Sequence, residues 1–460
     1  MMRITTPRML MSAGLLTALC LAPLLLPLKA HAAEEPGGPT VGDGSDAGAQ
    51  AAPPSGGSPR LAALAHELEK GNREALAAFW KEMQGKAPLV EPIPGDKRHG
   101  RVTFLWRGND KTTRVTMLGG FPGANFTKPL ARLKDTDLWY LTETYPTEAR
   151  FGYFFYVNAP EALPWNMKEL RRVIERHEPR RDPLNTRESG GGSYLELPDA
   201  PPQPWIKRRD DVPHGKLTEQ KFKSEILKAE YGLTVYVPPG SDKPGRRCWL
   251  MVAFDGGFPM MEVTLDNLLA AGKIPPVVVV GVKNIDGRSR DRDLSGSEAF
   301  ANFLAKELVP WARKTYQVHD SPDHTIVGGA SLGGLMAAYC GLKHSDVFGK
   351  ILAQSGTFLQ PPGQDWPSPA WDGEAPGLLA REFIKSPRLP LDFYLEVGRY
   401  ETFLSYSPLF ETRRLRDVLE AKGYHLTYSE FVGGHNEVCW RGSFADAVMA
   451  LTAEPAGKSR

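Results

Sequence analysis

His324-Thr-Ile-Val-Gly-Gly-Ala-Ser-Leu-Gly-Gly-Leu-Met-Ala-Ala-Tyr-Cys340 is the stretch from which the fold of this chain is read. Thr325 to Val327 is short, β-branched and apolar, the composition of a buried strand, and Leu335 to Leu342 is rich in Ala, Leu and Met, which favour helix. Between them, Gly329-Ala330-Ser331-Leu332-Gly333 is a G-x-S-x-G pattern in the strand-to-helix setting that gives it meaning. A serine lifted to the tip of a sheet needs a sharp, strained turn, and side chains on either flank would clash with neighbouring backbone. Ser331 then stands at a helix N-terminus, where free N–H groups and the helix dipole favour developing negative charge.

On both sides of this stretch strands and helices alternate. Leu233 to Val237, Cys248 to Phe254 and the β-branched run Pro276 to Val282 read as strands before it, with a helix over Phe300 to Tyr316. Ile351 to Ser355, Leu391 to Val397 and Tyr424 to Phe431 read as strands after it, with helices at Glu411 to Lys422 and Ser443 to Leu451. Such alternation predicts a doubly wound, mostly parallel sheet, an α/β-hydrolase domain over residues 216–455.

A serine hydroxyl is a poor nucleophile until a base removes its proton. In this fold class the chain order is serine, acid, histidine, so the base lies C-terminal to Ser331. His425 falls at a strand start and reads as a surface histidine. His435, in Gly433-Gly434-His435-Asn436 just after the final strand, hangs where a base must hang. The acid should leave the preceding strand. Glu401, three residues past Gly398, is preferred over Glu396 inside the strand, and a serine–histidine dyad without a third member is the alternative. An oxyanion hole needs two backbone N–H groups. Leu332 supplies one, and the loop Phe254-Asp255-Gly256-Gly257 the other, with Gly256 preferred over Gly257.

N-terminal to this domain the pattern changes. Leu61 to Met83 carries apolar residues at helical spacing, one or two helices over Gly71. Val102 to Trp106, Arg114 to Leu118, Leu138 to Thr142 and Tyr153 to Val157 alternate with turn residues, the signature of an antiparallel, immunoglobulin-like β-sandwich. Helix and sandwich occupy residues 60–197, and a Pro-rich linker, 198–215, separates them from the α/β domain. Residues 33–59, mostly Gly, Pro, Ala, Ser and Asp, have little to bury and read as a disordered tether.

The chain begins with the marks of a secretory signal peptide, residues 1–32. Arg3 and Arg8 precede an apolar run, Met9 to Leu28, broken by Pro23 and Pro27 and ending in Ala30-His31-Ala32. The two prolines and the small residues before Glu34 argue against a retained anchor, and Leu19 before Cys20 argues against a lipoprotein site. Removal of Arg3, Arg8 and Lys29 with the signal takes the formal charge from +2 to about −1, which gives no reason to expect nucleic acid. Of four cysteines, Cys248, Cys340 and Cys439 remain, enough for one intramolecular disulfide at most. No metal-ligand spacing or phosphate loop is present, so no cofactor and no resident metal are expected.

With these residues in place the chain resembles the enterochelin (enterobactin) esterase family of the esterase D-like group. The resemblance covers Val102-Thr-Phe-Leu-Trp-Arg107, Asp137-Leu-Trp139, Asp182-Pro-Leu-Asn185, Asp255-Gly256, Ala330-Ser-Leu-Gly-Gly-Leu335, Gln354-Ser-Gly356 and Gly433-Gly-His-Asn-Glu-Val-Cys-Trp-Arg441. It implies hydrolysis of the trilactone esters of a catecholate siderophore, with iron entering only as part of the substrate. It also implies Ser331 as nucleophile, His435 as base and Glu401 as acid. Arg290 matches a substrate-binding arginine of the family, and Trp440 and Arg441, which follow the histidine, are further candidate substrate contacts. Two features depart from the family: the signal sequence, and a Pro- and Trp-rich insert, Gln360 to Trp371, which is expected to reshape the pocket mouth. Rival readings are an exported feruloyl or short-chain acyl esterase of the same fold, and a binding protein built on a degenerate hydrolase. The sequence is silent on oligomeric state.

Expression in a Gram-negative host is expected to give a periplasmic protein whose first residue is Ala33. N-terminal sequencing that finds Met1 to Leu10 on a cytosolic product would refute export.

Overall fold

The computed structural model describes residues 57–120, 127–159, 176–243, 245–358, 377–402 and 407–453. The signal sequence, nearly all of the tether and the insert Gln360 to Trp371 lie outside these residues.

Two helices, Pro59–Glu69 and Glu74–Met83, open the described chain, separated by Gly71 with φ +88°. They bury Leu61, Leu64, Phe79, Trp80 and Met83 against Leu105 and Leu138 of the following sheets. Nine short strands follow: β1 (Leu89–Ile93), β2 (Asp96–Arg107), β3 (Val115–Gly119), β4 (Thr127–Pro129), β5 (Ala131–Arg132), β6 (Leu138–Pro146), β7 (Arg150–Val157), β8 (Glu188–Ser189) and β9 (Gly192–Glu196). They form two antiparallel sheets, ordered β1-β2-β6-β5 and β4-β3-β7-β9-β8. Phe104, Phe151, Tyr153 and Phe155 fill the space between them in edge-on and tilted ring pairs. The Asp182 to Asn185 turn closes this sandwich. Buried Asp182 accepts from the Tyr153 hydroxyl at 2.7 Å and from Leu184 N at 2.8 Å.

The second unit is one eight-stranded sheet. Its strands are β10 (Lys216–Ser224), β11 (Ala229–Val237), β12 (Trp249–Ala253), β13 (Val277–Val282), β14 (Thr325–Ala330), β15 (Lys350–Gln354), β16 (Asp392–Gly398) and β17 (His425–Phe431). The order is β10-β11-β13-β12-β14-β15-β16-β17. β10 and β11 run antiparallel, β11 meets β13 antiparallel, and every pair from β13 to β17 is parallel. β13 and β15 are buried at every position, as expected for strands covered by helices on both faces. β10, absent from the sequence reading, is an edge strand whose lysines and Glu219 face outward, a charged border that discourages pairing with another chain.

Several elements differ from expectation. The helix expected over Phe300 to Tyr316 is Glu298–Phe303, a π turn at Leu304–Leu308, then Val309–Thr315. Pro310 lacks an N–H and its ring crowds the carbonyl one turn back, so the ladder opens just before it. The last helix is Glu437–Thr452 rather than starting at Ser443, because the Asn436 side chain accepts from Val438 N at 2.9 Å and caps it six residues earlier. Cys248, Cys340 and Cys439 are free and buried. No helix of the described residues is long and apolar enough to cross a membrane.

Gly281, within β13, lies under the loop after β12. A Cβ there would stand 2.3 Å from Gly256 O and 2.5 Å from Gly256 C, both backbone atoms. Gly281→Ala is expected to destabilise the protein by about 1–3 kcal/mol, the cost of overpacking a tight contact. A thermal melt with an unchanged midpoint would show that the loop is free to move away.

Candidate active site

Ser331 directly follows β14, and its backbone sits at φ 60°, ψ −123°, a conformation that ordinary residues adopt only under constraint. Ser331 N donates to Gln354 O at 2.9 Å and Thr357 N donates to Ser331 O at 3.1 Å, so the turn is pinned on both sides. The flanking glycines are not equivalent. A Cβ on Gly329 would lie 2.9 Å from the Gly333 Cα, a backbone clash, whereas a Cβ on Gly333 would meet the Phe254 side chain at 3.4 Å, an ordinary contact. The first glycine is therefore required by sterics, and the second is not.

His435 hangs from the loop after β17 with its side chain buried. Its Nδ1 lies 2.7 Å from Glu401 Oε2. Glu401 is fully buried and saturated at its other oxygen, where Gly398 N donates at 2.7 Å and the Ser355 hydroxyl at 2.5 Å. Ser355 in turn accepts from Trp440 Nε1 at 2.9 Å, and the Trp440 ring stands edge-on to His435 with centroids 4.7 Å apart. His435 is held on two sides, by a carboxylate and by the indole ring. Its Nε2 is buried and meets no hydrogen-bond partner among the described residues, and the Ser331 hydroxyl lies 3.4 Å from Thr357 Oγ1. With Nδ1 engaged by Glu401, Nε2 is the ring nitrogen left open.

Beside Ser331 a cavity of about 450 Å³ is walled by Phe254, Asp255, Gly257, Ile285, Glu437 and Trp440, with Gly329, Ala330 and Gln354 beneath. Its polar corner differs from the sequence reading. The Gly256 N–H donates to Val282 O at 2.9 Å, so this amide builds the turn and is not available to an oxyanion. Gly257 N donates to Phe254 O at 3.0 Å within the same turn. Neither Leu332 N nor Asp255 N has a backbone acceptor among the described residues. Asp255 is itself in the left-handed region, φ 56°.

Arg290 reaches the cavity, but not as a lone cation. Its Nε and Nη2 bind Asp255 Oδ1 and Oδ2 at 2.6 and 3.0 Å, and Asn284 Nδ2 donates to the same Oδ1 at 2.6 Å. This two-pronged, largely buried pair fixes the Asp255 turn, a role that an isolated arginine in a charge run does not advertise. Arg441 is turned away from the site. Its Nε donates to Gln203 Oε1 at 3.0 Å and its guanidinium lies 4.7 Å above the Tyr194 ring, because the helix starting at Glu437 points it at the sandwich. Trp440 does line the cavity. Ser355, Gln354 and Glu437 were not singled out by sequence reasoning. Ser355 was within reach of it, since a serine just past a strand in Gln354-Ser-Gly356 echoes the Ser331 turn, and it too is left-handed, φ 50°.

Comparison with known proteins follows the same outline. A family model for esterases matches residues 224–451, and one for the N-terminal domain of enterochelin esterase matches residues 101–206. The iron(III) enterobactin esterase of Dickeya dadantii is 31% identical over 427 residues, covering 83% of this chain and 95% of that one. The chain belongs to the enterobactin esterase family. Among solved structures, the ferric enterobactin esterase of Salmonella typhimurium superposes with a TM-score of 0.67 at 26% identity, over 82% of this chain and 98% of that one. The Shigella flexneri enterobactin esterase, solved in the presence of enterobactin, gives 0.65 at 25% identity, over 81% and 97%.

Glu396, the rejected candidate acid, has a different place in the family fold. It is buried, and its carboxylate accepts from Gln354 Nε2 at 2.9 Å, the Ser443 hydroxyl at 2.6 Å and the Tyr394 hydroxyl at 3.1 Å, away from His435. Burial pushes its carboxyl up to about 7, against the lowering effect of those hydrogen bonds. The folded state thus keeps a proton that the unfolded chain releases above about 4.5, so the stabilisation is full below that pH and is lost as pH rises towards 7. Between pH 5 and pH 8 the wild type is expected to lose on the order of 1–3 kcal/mol relative to Glu396→Gln. Melting curves that stay parallel across this range would show that Glu396 is ionised throughout.

Proposed function

We propose that this protein is a serine esterase that cleaves the trilactone ester bonds of a catecholate siderophore of the ferric enterobactin type, lowering the ligand's hold on iron. The observation that carries the reading is the Glu401–His435 pair beside the Ser331 turn, at the carboxyl edge of a sheet that belongs to the enterobactin esterase family.

In this reading the Ser331 hydroxyl attacks the ester carbonyl as His435 Nε2 takes its proton. Negative charge on the carbonyl oxygen is met by Leu332 N–H and a second amide, with Asp255 N–H the better candidate, where the helix Leu332–Lys343 also opens. Glu401 keeps His435 in the tautomer with the proton on Nδ1 and balances the imidazolium. Collapse of the intermediate returns the proton from His435 to the departing seryl oxygen, which opens the ring and leaves an acyl group on Ser331. Water, deprotonated by His435, then releases the acid. Arg290 serves by holding Asp255, and Trp440 by lining the cavity, packing against His435 and bonding Ser355. No bound metal is required, since iron arrives with the substrate.

The reading extends to where and how the chain is built. We infer export, from the signal sequence at residues 1–32, and a division into a helix-and-sandwich unit, 60–197, a linker, 198–215, and a catalytic unit, 216–455.

Two variants test the chemistry on ferric enterobactin, with products resolved by mass. Ser331→Ala is expected to lower kcat by roughly 10⁴-fold or more, and retention of a tenth of wild-type activity would sink the assignment. Glu401→Gln presents an amide that stabilises the wrong tautomer and is expected to cost up to ~10⁴-fold at equal folded fraction. A loss below about tenfold would replace the triad with a serine–histidine dyad.

A further inference from the structure

The sandwich packs against the segment that follows His435 in the catalytic domain. In β7, Phe151, Tyr153 and Phe155 point into the sandwich core, so Arg150, Gly152 and Tyr156 face the other way. On an isolated sandwich that outer face would be wet. Here Arg150 is buried, and the helix Glu437–Thr452 lies against this strand.

The contacts are dense and run residue by residue along the segment after His435. A Cβ on Gly152 would stand 2.9 Å from Asn436 Nδ2, so the asparagine side chain occupies the space a larger residue would need. A Cβ on Gly190 would fall 2.0 Å from Glu437 Oε1, which accepts from the Ser189 hydroxyl at 3.0 Å. Val438 O accepts from Gln203 Nε2 at 2.8 Å. Cys439 Sγ donates to Arg150 O at 3.3 Å, and Arg441 bonds Gln203 and covers Tyr194. Trp440 of this run turns inward, to Ser355 and His435. Tyr400, next to Glu401, and Val432, in the loop that carries His435, pack on the sandwich core as well.

Asn436 is the decisive link. It directly follows His435, and its side-chain oxygen caps the helix at Val438 N, so any shift of its side chain moves the helix start and the histidine together. We propose that the outer face of the five-stranded sheet is a positioning platform for the catalytic base: Gly152 and Gly190 leave room for Asn436 and Glu437, and through them the sandwich sets the place of His435. Gly152 and Asn436 are positioning residues, which touch no substrate. The inference rests on His435 as the base; failure of that reading shows separately, as a His435→Ala enzyme that keeps wild-type kcat.

The test is a double-mutant cycle on the full chain, with p-nitrophenyl butyrate as the ester so that siderophore recognition does not enter. Gly152→Val is expected to lower kcat by about 30-fold or more with KM within about twofold, because a misplaced base costs the transition state and not ground-state binding. The pH at which kcat/KM falls on the acid side is expected to move with it. In an Asn436→Ser background, where a shorter side chain still caps the helix, the same Gly152→Val change is expected to cost at least ~5-fold less. A Gly152→Val enzyme within threefold of wild-type kcat, or an equal loss in both backgrounds, overturns the proposal. If Gly152→Val does not fold, Gln203→Ala, which adds no bulk and removes the bonds to Val438 and Arg441, takes its place. A kcat drop of about 3–10-fold at constant KM supports the platform, and an unchanged kcat overturns it.

Discussion

The bond between Glu401 and His435 is the interaction on which the rest of the structure depends. A fully buried carboxylate costs several kcal/mol unless its oxygens are hydrogen-bonded or paired. Here each bond comes from a different place in the chain: Gly398 N at the end of β16, the Ser355 hydroxyl just past β15, and His435 after β17. Those three strands must therefore end at one level. The parallel register delivers this, with Gln354 opposite Glu396 and Gly398 opposite Phe431. The same constraint accounts for Trp440, whose indole N–H satisfies Ser355 while its ring backs the imidazole.

A half-buried carboxylate, Asp255, organises the other side of the cavity. The loop from Phe254 to Met260 holds Asp255, Gly256, Gly257 and Met260 at positive φ. Strain of that kind persists only where the surroundings over-determine it. Arg290 and Asn284 grip the Asp255 side chain, Gly256 N bonds Val282 O, and Gly281 leaves the space beneath. Arg290 illustrates how a charge near a site is spent. Because both of its prongs go to Asp255, its contribution to an anionic ligand is reduced to what the pair as a whole can offer. The cavity thus depends on two ionic clusters, one buried and one half-buried. One aims a histidine and the other holds a backbone turn.

The two units of the chain are less separate than a Pro-rich linker suggests. The linker itself carries Gln203, which bonds both Val438 and Arg441, so it works as a strap across the helix start. In the hairpin from Gly190 to Gly192, Gly190 is the point where Glu437 presses against the end of β8. Glycine here records a close approach by another part of the molecule, not freedom of the backbone.

What the sequence by itself determined is everything with a local cause. The alternation of apolar runs and helical spacing specified the doubly wound sheet and the sandwich, and G-x-S-x-G between a strand and a helix placed Ser331. Chain order and loop position picked out His435 and Glu401, because strand ends in a parallel sheet share one edge. What only the tertiary structure decided is which group meets which. Gly256 and Gly257 are alike in sequence, but the neighbouring strand β13 takes the Gly256 N–H. Arg290 looks like any member of a charged run until Asp255, thirty-five residues earlier, closes on it. Arg441 follows the histidine closely, yet the cap at Asn436 starts a helix whose 100° step per residue turns Trp440 inward and Arg441 out to the sandwich. Hydrogen-bond partners are exclusive and set by distance in space, and a residue's type does not record which partner reaches it first.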